Sequence, residues 1–245
     1  LGIFGAPAYV VSGNLYWGQD RAHFVEAALR RDASSAVRTH ASPAKGTSFP
    51  MAHTLEVYFD FSSPFAYLGC AQVDALAART GATVVWRPFL LGGLFKALGQ
   101  VDVPLVTWSE AKRTYTFTDM VRWAAHWNIP FRWPTRFPMN SIKALRIYLA
   151  LPDARRAAFR DAAFRAYWAE DRDLNDDAVL RGLLGEGADE VLTRTQAPEI
   201  KAALKDATEQ AVSAGVFGAP TFVIDGKELF WGQDRLGLVE AALLR

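Results

Sequence analysis

TLEVYFDFSSPFAYLG, residues 54–69, is the stretch that decides the fold. Its first eight residues are mostly β-branched, aromatic or aliphatic, which predicts a strand. Ser63 and Pro64 then precede apolar residues at helical spacing. Because the first helical turn leaves N–H groups unpaired, Ser63 is expected to cap a helix that Pro64 begins. Gly81 ends this helix and residues 82–87 predict a second strand, so the order is strand–helix–strand.

A long, mostly helical region follows, with apolar side chains at helical spacing over most of residues 109–214. Strand character returns only at residues 220–224. Asp225-Gly226 is a hairpin signal, residues 229–231 predict the partner strand, and residues 234–244 predict a closing helix. The sequence therefore predicts an α/β fold that an all-helical insertion splits in two.

The end of the chain is repeated at its beginning. Residues 2–31 read GIFGAPAYVVSGNLYWGQDRAHFVEAALRR, and residues 215–245 read GVFGAPTFVIDGKELFWGQDRLGLVEAALLR. When one extra residue is allowed in the second hairpin turn, most aligned positions are identical. Residues 32–53 are rich in Ser, Thr, Ala, Pro and Gly without apolar periodicity, which predicts a linker.

One complete domain is expected at about residues 51–245. Residues 1–31 are expected to be an orphan copy of the closing hairpin and helix, left from a tandem fusion or an early gene start. The alternative is that this tail docks on a neighbouring chain, as in a domain swap. Because the copy lacks a Ser-Pro helix and a first strand, no activity is expected from it.

Composition narrows the class of protein. Of 245 residues, 51% are hydrophobic, and 27 basic against 26 acidic side chains leave a net charge of +1. This composition argues against disorder and against a nucleic-acid surface. No apolar run approaches the roughly 20 residues that cross a bilayer, and the first residues lack the regions of a secretory signal. We expect a cytoplasmic protein with neither a membrane nor a nucleic-acid partner.

The single cysteine, Cys70, excludes an internal disulfide and a four-thiolate zinc site. It lies about two helical turns beyond Ser63 and is expected to be buried. The four histidines have no paired ligand spacing, so no metal site is expected.

Four ordered motifs carry a family resemblance: DFSSPFAYLG (60–69), RPFLLGG (87–93), GVFGAPTFVIDG (215–226) and LFWGQDRL (229–236). Together they resemble the kappa-class glutathione transferases and the 2-hydroxychromene-2-carboxylate isomerases, over essentially all of residues 54–245. The resemblance implies a thioredoxin-like fold, with residues 54–91 and 215–245 forming the thioredoxin-like domain and residues 92–214 the helical insertion.

The resemblance also implies a function. The expected activity is the glutathione-dependent interconversion of 2-hydroxychromene-2-carboxylate and trans-o-hydroxybenzylidenepyruvate, a bacterial step of aromatic compound catabolism. The implied cofactor is glutathione, the substrate a small aromatic carboxylate, and the assembly a homodimer. Two alternatives stay open: a kappa-like glutathione transferase, and a non-catalytic binding module of thioredoxin fold.

The helix start at Ser63 carries the expected chemistry. Where thioredoxin-like oxidoreductases have two cysteines, this chain has Ser63 and Ala66. Disulfide exchange needs a protein thiolate, so that activity is disfavoured. The resemblance implies that the Ser63 hydroxyl stabilises the sulfur of glutathione. The alternative is that Ser63 is only a helix cap, and Ser62 is its nearest rival.

The resemblance implies that further residues bind glutathione. Pro220 is expected to be cis and Ala219 to bond the cysteinyl backbone; the alternative is a plain edge-strand proline. Gln233 and Asp234 are expected to hold the γ-glutamyl end, whereas a purely structural Asp234 would cap the helix and pair with Arg235. The expected cofactor-binding residues are Ser63, Ala219, Pro220, Trp231, Gly232, Gln233 and Asp234.

Substrate contacts are less clearly marked. Gln100 stands where family members commonly have an asparagine, and its extra methylene puts that contact in question. The further candidates are Tyr115, Arg136 and Asn140. A solvated helix face or loop is the alternative interpretation for each of them.

Overall fold

A computed structural model describes residues 2–32, 53–101 and 103–245. Apart from its two end residues, the predicted linker at residues 32–53 lies outside this described part. The N-terminal segment is a hairpin and a helix, made of β1 (Ala8–Val11), β2 (Asn14–Trp17), a 3₁₀ turn (Gln19–Arg21) and α1 (Ala22–Asp32).

The rest of the described chain has the predicted order of elements. The strand–helix–strand unit consists of β3 (Thr54–Phe59), α2 (Pro64–Cys70), α3 (Val73–Thr80) and β4 (Thr83–Pro88). The helices of the insertion are α4 (Leu91–Ala97), α5 (Glu110–His126), α6 (Ile142–Ala150), α7 (Asp153–Trp168), α8 (Asp177–Leu184), α9 (Ala188–Arg194) and α10 (Pro198–Ser213). The closing elements are β5 (Thr221–Ile224), β6 (Glu228–Trp231), a 3₁₀ turn (Gln233–Arg235) and α11 (Leu236–Leu243). None of the described helices has the length and apolarity that crossing a membrane requires.

The four strands after residue 53 form one sheet in the order β4–β3–β5–β6. β3 runs parallel to β4, with Leu55 opposite Val84, and antiparallel to β5, with Val57 opposite Phe222. β5 and β6 form the closing hairpin. This is the predicted thioredoxin-like arrangement, in which the parallel pair β3–β4 and the closing hairpin β5–β6 are joined by the pairing of β3 with β5.

The structure differs from the prediction in one element near the candidate site. The single helix expected from Pro64 to Gly81 is two helices, because the chain turns at Ala71 and Gln72. The Gln72 side chain donates a hydrogen bond to the Leu68 carbonyl across this turn (2.8 Å). As a result, α2 packs against the turn before α11, while α3 packs against β4 and α11.

The domain from residue 53 onward has a core rich in aromatic side chains. Its largest fully buried apolar side chains include Trp168, Tyr167, Phe59, Phe61, Phe89 and Phe222. The Trp168 indole donates a hydrogen bond to the Phe61 carbonyl (2.8 Å), so its polar edge is paired. The N-terminal segment has a separate small cluster of Val11, Tyr16 and Ala28.

The packing of α2 on the loop before β5 can be tested at Gly69. A Cβ at this position would lie 2.9 Å from Pro220 Cγ. We expect Gly69→Ala to lower the free energy of unfolding by about 1–3 kcal/mol, because overpacking outweighs the gain in helix propensity. Urea unfolding of the purified protein measures this change.

Gly92→Ala is the matched control, since Gly92 lies in α4 and a Cβ there would meet nothing within 4 Å. It should leave stability unchanged or raise it by up to about 1 kcal/mol. Equal effects of the two substitutions would contradict the close contact between α2 and Pro220.

Candidate active site

Ser63 lies at the start of α2 and is 2% exposed. Its Oγ accepts a hydrogen bond from the Ala66 N–H (3.1 Å), so it caps the helix as the sequence predicts. The same hydroxyl donates to the Ala219 carbonyl (3.0 Å). Capping and contact with the loop before β5 therefore occur together in one side chain.

The loop that receives this hydrogen bond is closely packed. The Ala219–Pro220 peptide bond is cis, as expected from the resemblance. The Thr221 hydroxyl donates to the Gly218 carbonyl (2.7 Å), and a Cβ at Gly218 would collide with the Trp231 indole. The Ala219 carbonyl is thereby held toward Ser63.

The segment after β6 joins the same cluster. The Gly232 N–H donates to the Pro220 carbonyl (3.0 Å), and Gly232 has a φ of 111°, a value that favours glycine. Gln233 is buried, and its Oε1 has no hydrogen-bond partner among the described residues. A buried acceptor without a donor is costly, so this oxygen suits a ligand that brings a donor.

Asp234 lies beside two arginines and one further carboxyl group. Its Oδ2 is 2.9 Å from Arg21 Nη1 and 3.6 Å from Arg235 Nη1. Burial raises the pKa of Asp234, and the hydrogen bond with the Asp20 carboxyl raises it further. Burial would also raise the pKa of Asp20, but the hydrogen bond with Asp234 and the charge of Arg21 hold it at about 2. Of these two coupled carboxyl groups, Asp234 is therefore the more readily protonated.

Asp60 is a polar residue of the site that sequence reasoning missed. It is fully buried at the end of β3, where its carboxylate accepts from the N–H groups of Ser62 (2.9 Å) and Leu91 (2.7 Å). Burial raises the pKa of Asp60, against the hydrogen bonds that it accepts, the one with Ser141 first among them. It ties the turn before Ser63 to the start of α4. The signal in the sequence is a lone acid between two phenylalanines of a buried strand.

The remaining candidates are dispersed. Tyr115 is buried, and its hydroxyl accepts from the Trp17 N–H (2.8 Å) and donates to Asp119 (3.1 Å). The other three are exposed at helix ends or in loops, outside the hydrogen-bond cluster of Ser63: Gln100, Arg136 and Asn140. The Asn140 side chain accepts from the Ile142 N–H and so caps α6 (3.0 Å).

Cys70 lies at the end of α2 and is buried. Burial raises the pKa of its thiol far above the ordinary value. A buried, protonated thiol is a poor nucleophile.

A cavity of about 500 Å³ lies between α4, α6 and α10. Its apolar walls include Leu90 and Ile142, and its charged lining residues are Arg146, Lys201, Lys205 and Glu209. Arg146 Nε is buried and has no hydrogen-bond partner among the described residues. Leu90 lines this cavity, and the next residue, Leu91, donates its N–H to Asp60. The cavity therefore combines apolar walls with a cationic excess.

Comparisons with known proteins agree with this fold. A family model described as DSBA-like thioredoxin domain matches residues 54–244. 2-hydroxychromene-2-carboxylate isomerase from Sphingobium xenophagum is 33% identical over 203 residues, which are 79% of this chain and 100% of that protein. Human glutathione S-transferase kappa 1 is 27% identical over 208 residues, covering 78% of this chain and 90% of the relative.

A solved structure of 2-hydroxychromene-2-carboxylate isomerase superposes with a TM-score of 0.70 at 27% identity, over 78% of this chain and 94% of that chain. Residues 54–244, which the family model matches, include the strand–helix–strand unit, the insertion and the closing hairpin. The chain therefore belongs to the DSBA-like thioredoxin family and, within it, to the family of 2-hydroxychromene-2-carboxylate isomerases and kappa-class glutathione transferases.

Proposed function

We propose that this chain is a glutathione-dependent isomerase that interconverts 2-hydroxychromene-2-carboxylate and trans-o-hydroxybenzylidenepyruvate. The observation that carries the proposal is the Ser63 hydroxyl, which lies at a helix start and faces the carbonyl before a cis proline (3.0 Å). The names of the relatives support the reaction. A cytoplasmic location in a bacterium is part of the same proposal.

The residues of the site fit glutathione. The Ala219 carbonyl can accept a backbone N–H of a tripeptide in place of the Ser63 hydroxyl. The unpartnered Oε1 of buried Gln233 can accept from an amide or ammonium group at the γ-glutamyl end. Asp234 adds negative charge there, although Arg21 and Arg235 offset part of it. We assign cofactor binding to Ser63, Ala219, Pro220, Trp231, Gly232, Gln233 and Asp234.

Glutathione, when bound, supplies a thiolate that can add reversibly to a conjugated substrate. The chain has no thiolate of its own for this purpose, because Ser63 and Ala66 replace the cysteine pair and Cys70 is buried with a raised pKa. The role of Ser63 would be to donate a hydrogen bond from its hydroxyl to the sulfur. The hydroxyl would then leave the Ala219 carbonyl, which could accept a backbone N–H of the tripeptide instead.

The cavity between α4, α6 and α10 supports a small aromatic carboxylate as the substrate class. Its apolar walls can take up an aromatic ring, and its cationic groups, Arg146 and Lys201, can attract a carboxylate. Gln100 follows α4 and Asn140 precedes α6, and both of these helices line the cavity. Neither residue is itself among the lining residues, so we propose them as substrate contacts from their position in the chain alone. Tyr115 and Arg136 remain weaker candidates.

Removal of the Ser63 hydroxyl tests the assignment. We expect Ser63→Ala to lower kcat of the glutathione-dependent isomerisation by roughly 100-fold, as loss of a single hydrogen-bond donor to a developing anion does. Because alanine also removes the helix cap, Ser63→Gly serves as a second variant, with a capping loss of only a few tenths of a kcal/mol. The assay follows the ultraviolet absorbance of the chromene carboxylate.

Ser62→Ala is the matched control and should retain most of the activity. If Ser62→Ala loses turnover while both Ser63 variants keep it, the catalytic assignment is wrong. Conjugation of an electrophilic halide without isomerisation would instead favour the kappa-like transferase. Absence of glutathione binding in calorimetry, with the fold intact, would favour the non-catalytic binding module.

The substrate cavity makes a separate prediction. Arg146→Met should raise KM for the chromene carboxylate by about 10-fold, since one charge-assisted hydrogen bond is worth roughly 1.5–3 kcal/mol. The affinity for glutathione should not change. Arg194→Met, at an exposed arginine of α9, is the control. An unchanged KM in the Arg146 variant would remove this cavity from the proposal.

A further inference from the structure

The N-terminal segment, residues 2–32, folds like the closing segment, residues 215–245. Both have a cis Ala-Pro bond, a hairpin, a 3₁₀ turn and a helix in the same order. Gly18 and Gly232 have nearly equal φ values, 105° and 111°. The N–H of each glycine donates to the carbonyl of the proline of its own segment (3.0 Å in both). The sequence repeat is therefore also a structural repeat.

The two segments face each other through a reciprocal pair of salt bridges. Arg21 Nη1 lies 2.9 Å from Asp234 Oδ2, and Arg235 Nη1 lies 2.9 Å from Asp20 Oδ2. Arg21 and Arg235 occupy the same position of the repeat, and so do Asp20 and Asp234. The arginine of each copy therefore binds the aspartate of the other. Reciprocal contacts of this kind are what a two-fold axis between identical surfaces produces.

Helix α5 covers the N-terminal segment from one side. Its contacts come from residues of α5 at helical spacing, among them Tyr115, Asp119, Arg122 and Trp123. The Asp119 carboxylate binds Arg21 Nη2 (2.7 Å) and Nε (3.1 Å). Arg122 Nη1 donates to the Leu15 carbonyl (2.7 Å), and the Trp123 ring lies 4.7 Å from Phe24.

The closing segment has the same apolar face, but no helix covers it among the residues that the structure describes. Its four large residues on this face are exposed: Phe217 (41%), Leu229 (36%), Trp231 (52%) and Leu238 (58%). Their counterparts in the N-terminal segment are half-buried, and they are Phe4, Leu15, Trp17 and Phe24. The difference between the two copies is therefore the presence or absence of a helix like α5.

On the opposite face of the repeat the difference in burial is reversed. Val216, Phe222 and Val223 are buried in the core of the domain, whereas their counterparts in the N-terminal segment, Ile3, Tyr9 and Val10, are exposed. The N-terminal segment thus leaves its core face bare and uses only the face that meets α5 and the closing segment. That face is a docking surface, separate from the residues that build the domain core.

We propose that residues 2–32 take, on α5, the place that the closing segment of a second copy would take in the homodimer that the resemblance implies. Without residues 1–50, α5 of each copy covers residues 215–245 of the other, and a closed two-fold dimer results. With them, α5 is already covered, and this face cannot pair with another full chain. The inference concerns assembly and does not depend on the reaction.

The domain without residues 1–50 is expected to fold on its own. Its core consists of residues 55–243, with only Phe24 of the N-terminal segment packed against it, and the cluster of Val11, Tyr16 and Ala28 is separate. The matched region of the family also begins at residue 54. Residues 51–245 can therefore be studied as a folded protein.

The first experiment compares molar masses in solution by light scattering. The full chain should have the mass of a monomer, and residues 51–245 should have twice their own chain mass. A monomeric, folded 51–245 protein, or a full chain that forms the same dimer, would overturn the proposal.

The second experiment exchanges charges in residues 51–245. In the proposed dimer, Asp119 of one copy faces Arg235 of the other. Asp119→Arg alone and Arg235→Asp alone should both be monomers, because each would bring like charges together. Mixed in equal amounts, they should form a heterodimer, in which both pairs are again of opposite sign. Glu190→Arg, at an exposed residue of α9, should remain a dimer. Failure of the mixture to associate contradicts the proposed geometry.

The third experiment uses the full chain. Arg21→Glu places an acid against Asp119, Asp20 and Asp234, so residues 2–32 should be released and α5 exposed. The variant should then dimerise. Arg30→Glu is the control, since Arg30 is exposed and pairs with Glu26 within α1, and it should stay monomeric. A monomeric Arg21 variant, whether or not proteolysis finds the segment released, argues against the proposal.

Discussion

The hydrogen bond from the Ser63 hydroxyl to the Ala219 carbonyl joins two segments that are 156 residues apart in the chain. It can form only because β3 pairs with β5, which brings the end of β3 next to the loop before β5. The helical insertion has to leave from β4 and return to β5 without disturbing this pairing. The buried Asp60 carboxylate supports this arrangement, because it accepts hydrogen bonds from the turn before Ser63 and from the start of α4.

The same sheet order also positions the charged part of the site. β6 lies beside β5, so the turn after β6 reaches the cluster around Ser63. In this turn Asp234 faces Asp20 and two arginines, and two of these four groups come from the N-terminal segment. The electrostatic environment of the candidate glutathione site is thus completed by a segment that lies outside the domain core. The proposed docking surface and the candidate ligand site therefore share these residues.

The sequence predicted the fold well because its signals were local. The strand at residues 54–61, the Ser-Pro helix start and the Asp-Gly hairpin each depend on residues close in the chain. The turn at Ala71 and Gln72 was missed because neither residue is a type that breaks a helix; the hydrogen bond from the Gln72 side chain to the Leu68 carbonyl spans it. Asp60 was missed because its signal, an acid between two phenylalanines, does not by itself indicate that the carboxylate is buried and accepts from two backbone N–H groups. The roles of the predicted site residues remain a proposal, although Ser63, Ala219, Pro220 and Gly232 do form one connected cluster.

By itself, the sequence determined the order of strands and helices, the absence of a cysteine pair at the helix start and the repeat of the closing segment. These properties follow from residue types and their spacing. Only the tertiary structure decided where the N-terminal copy of the repeat docks. It docks on side chains of α5 that are more than 80 residues away in the chain, and no local pattern of residues predicts such contacts. Tyr115 illustrates the difference: its spacing placed it on a helix face, but the partner of its hydroxyl, the Trp17 N–H, could be found only in three dimensions.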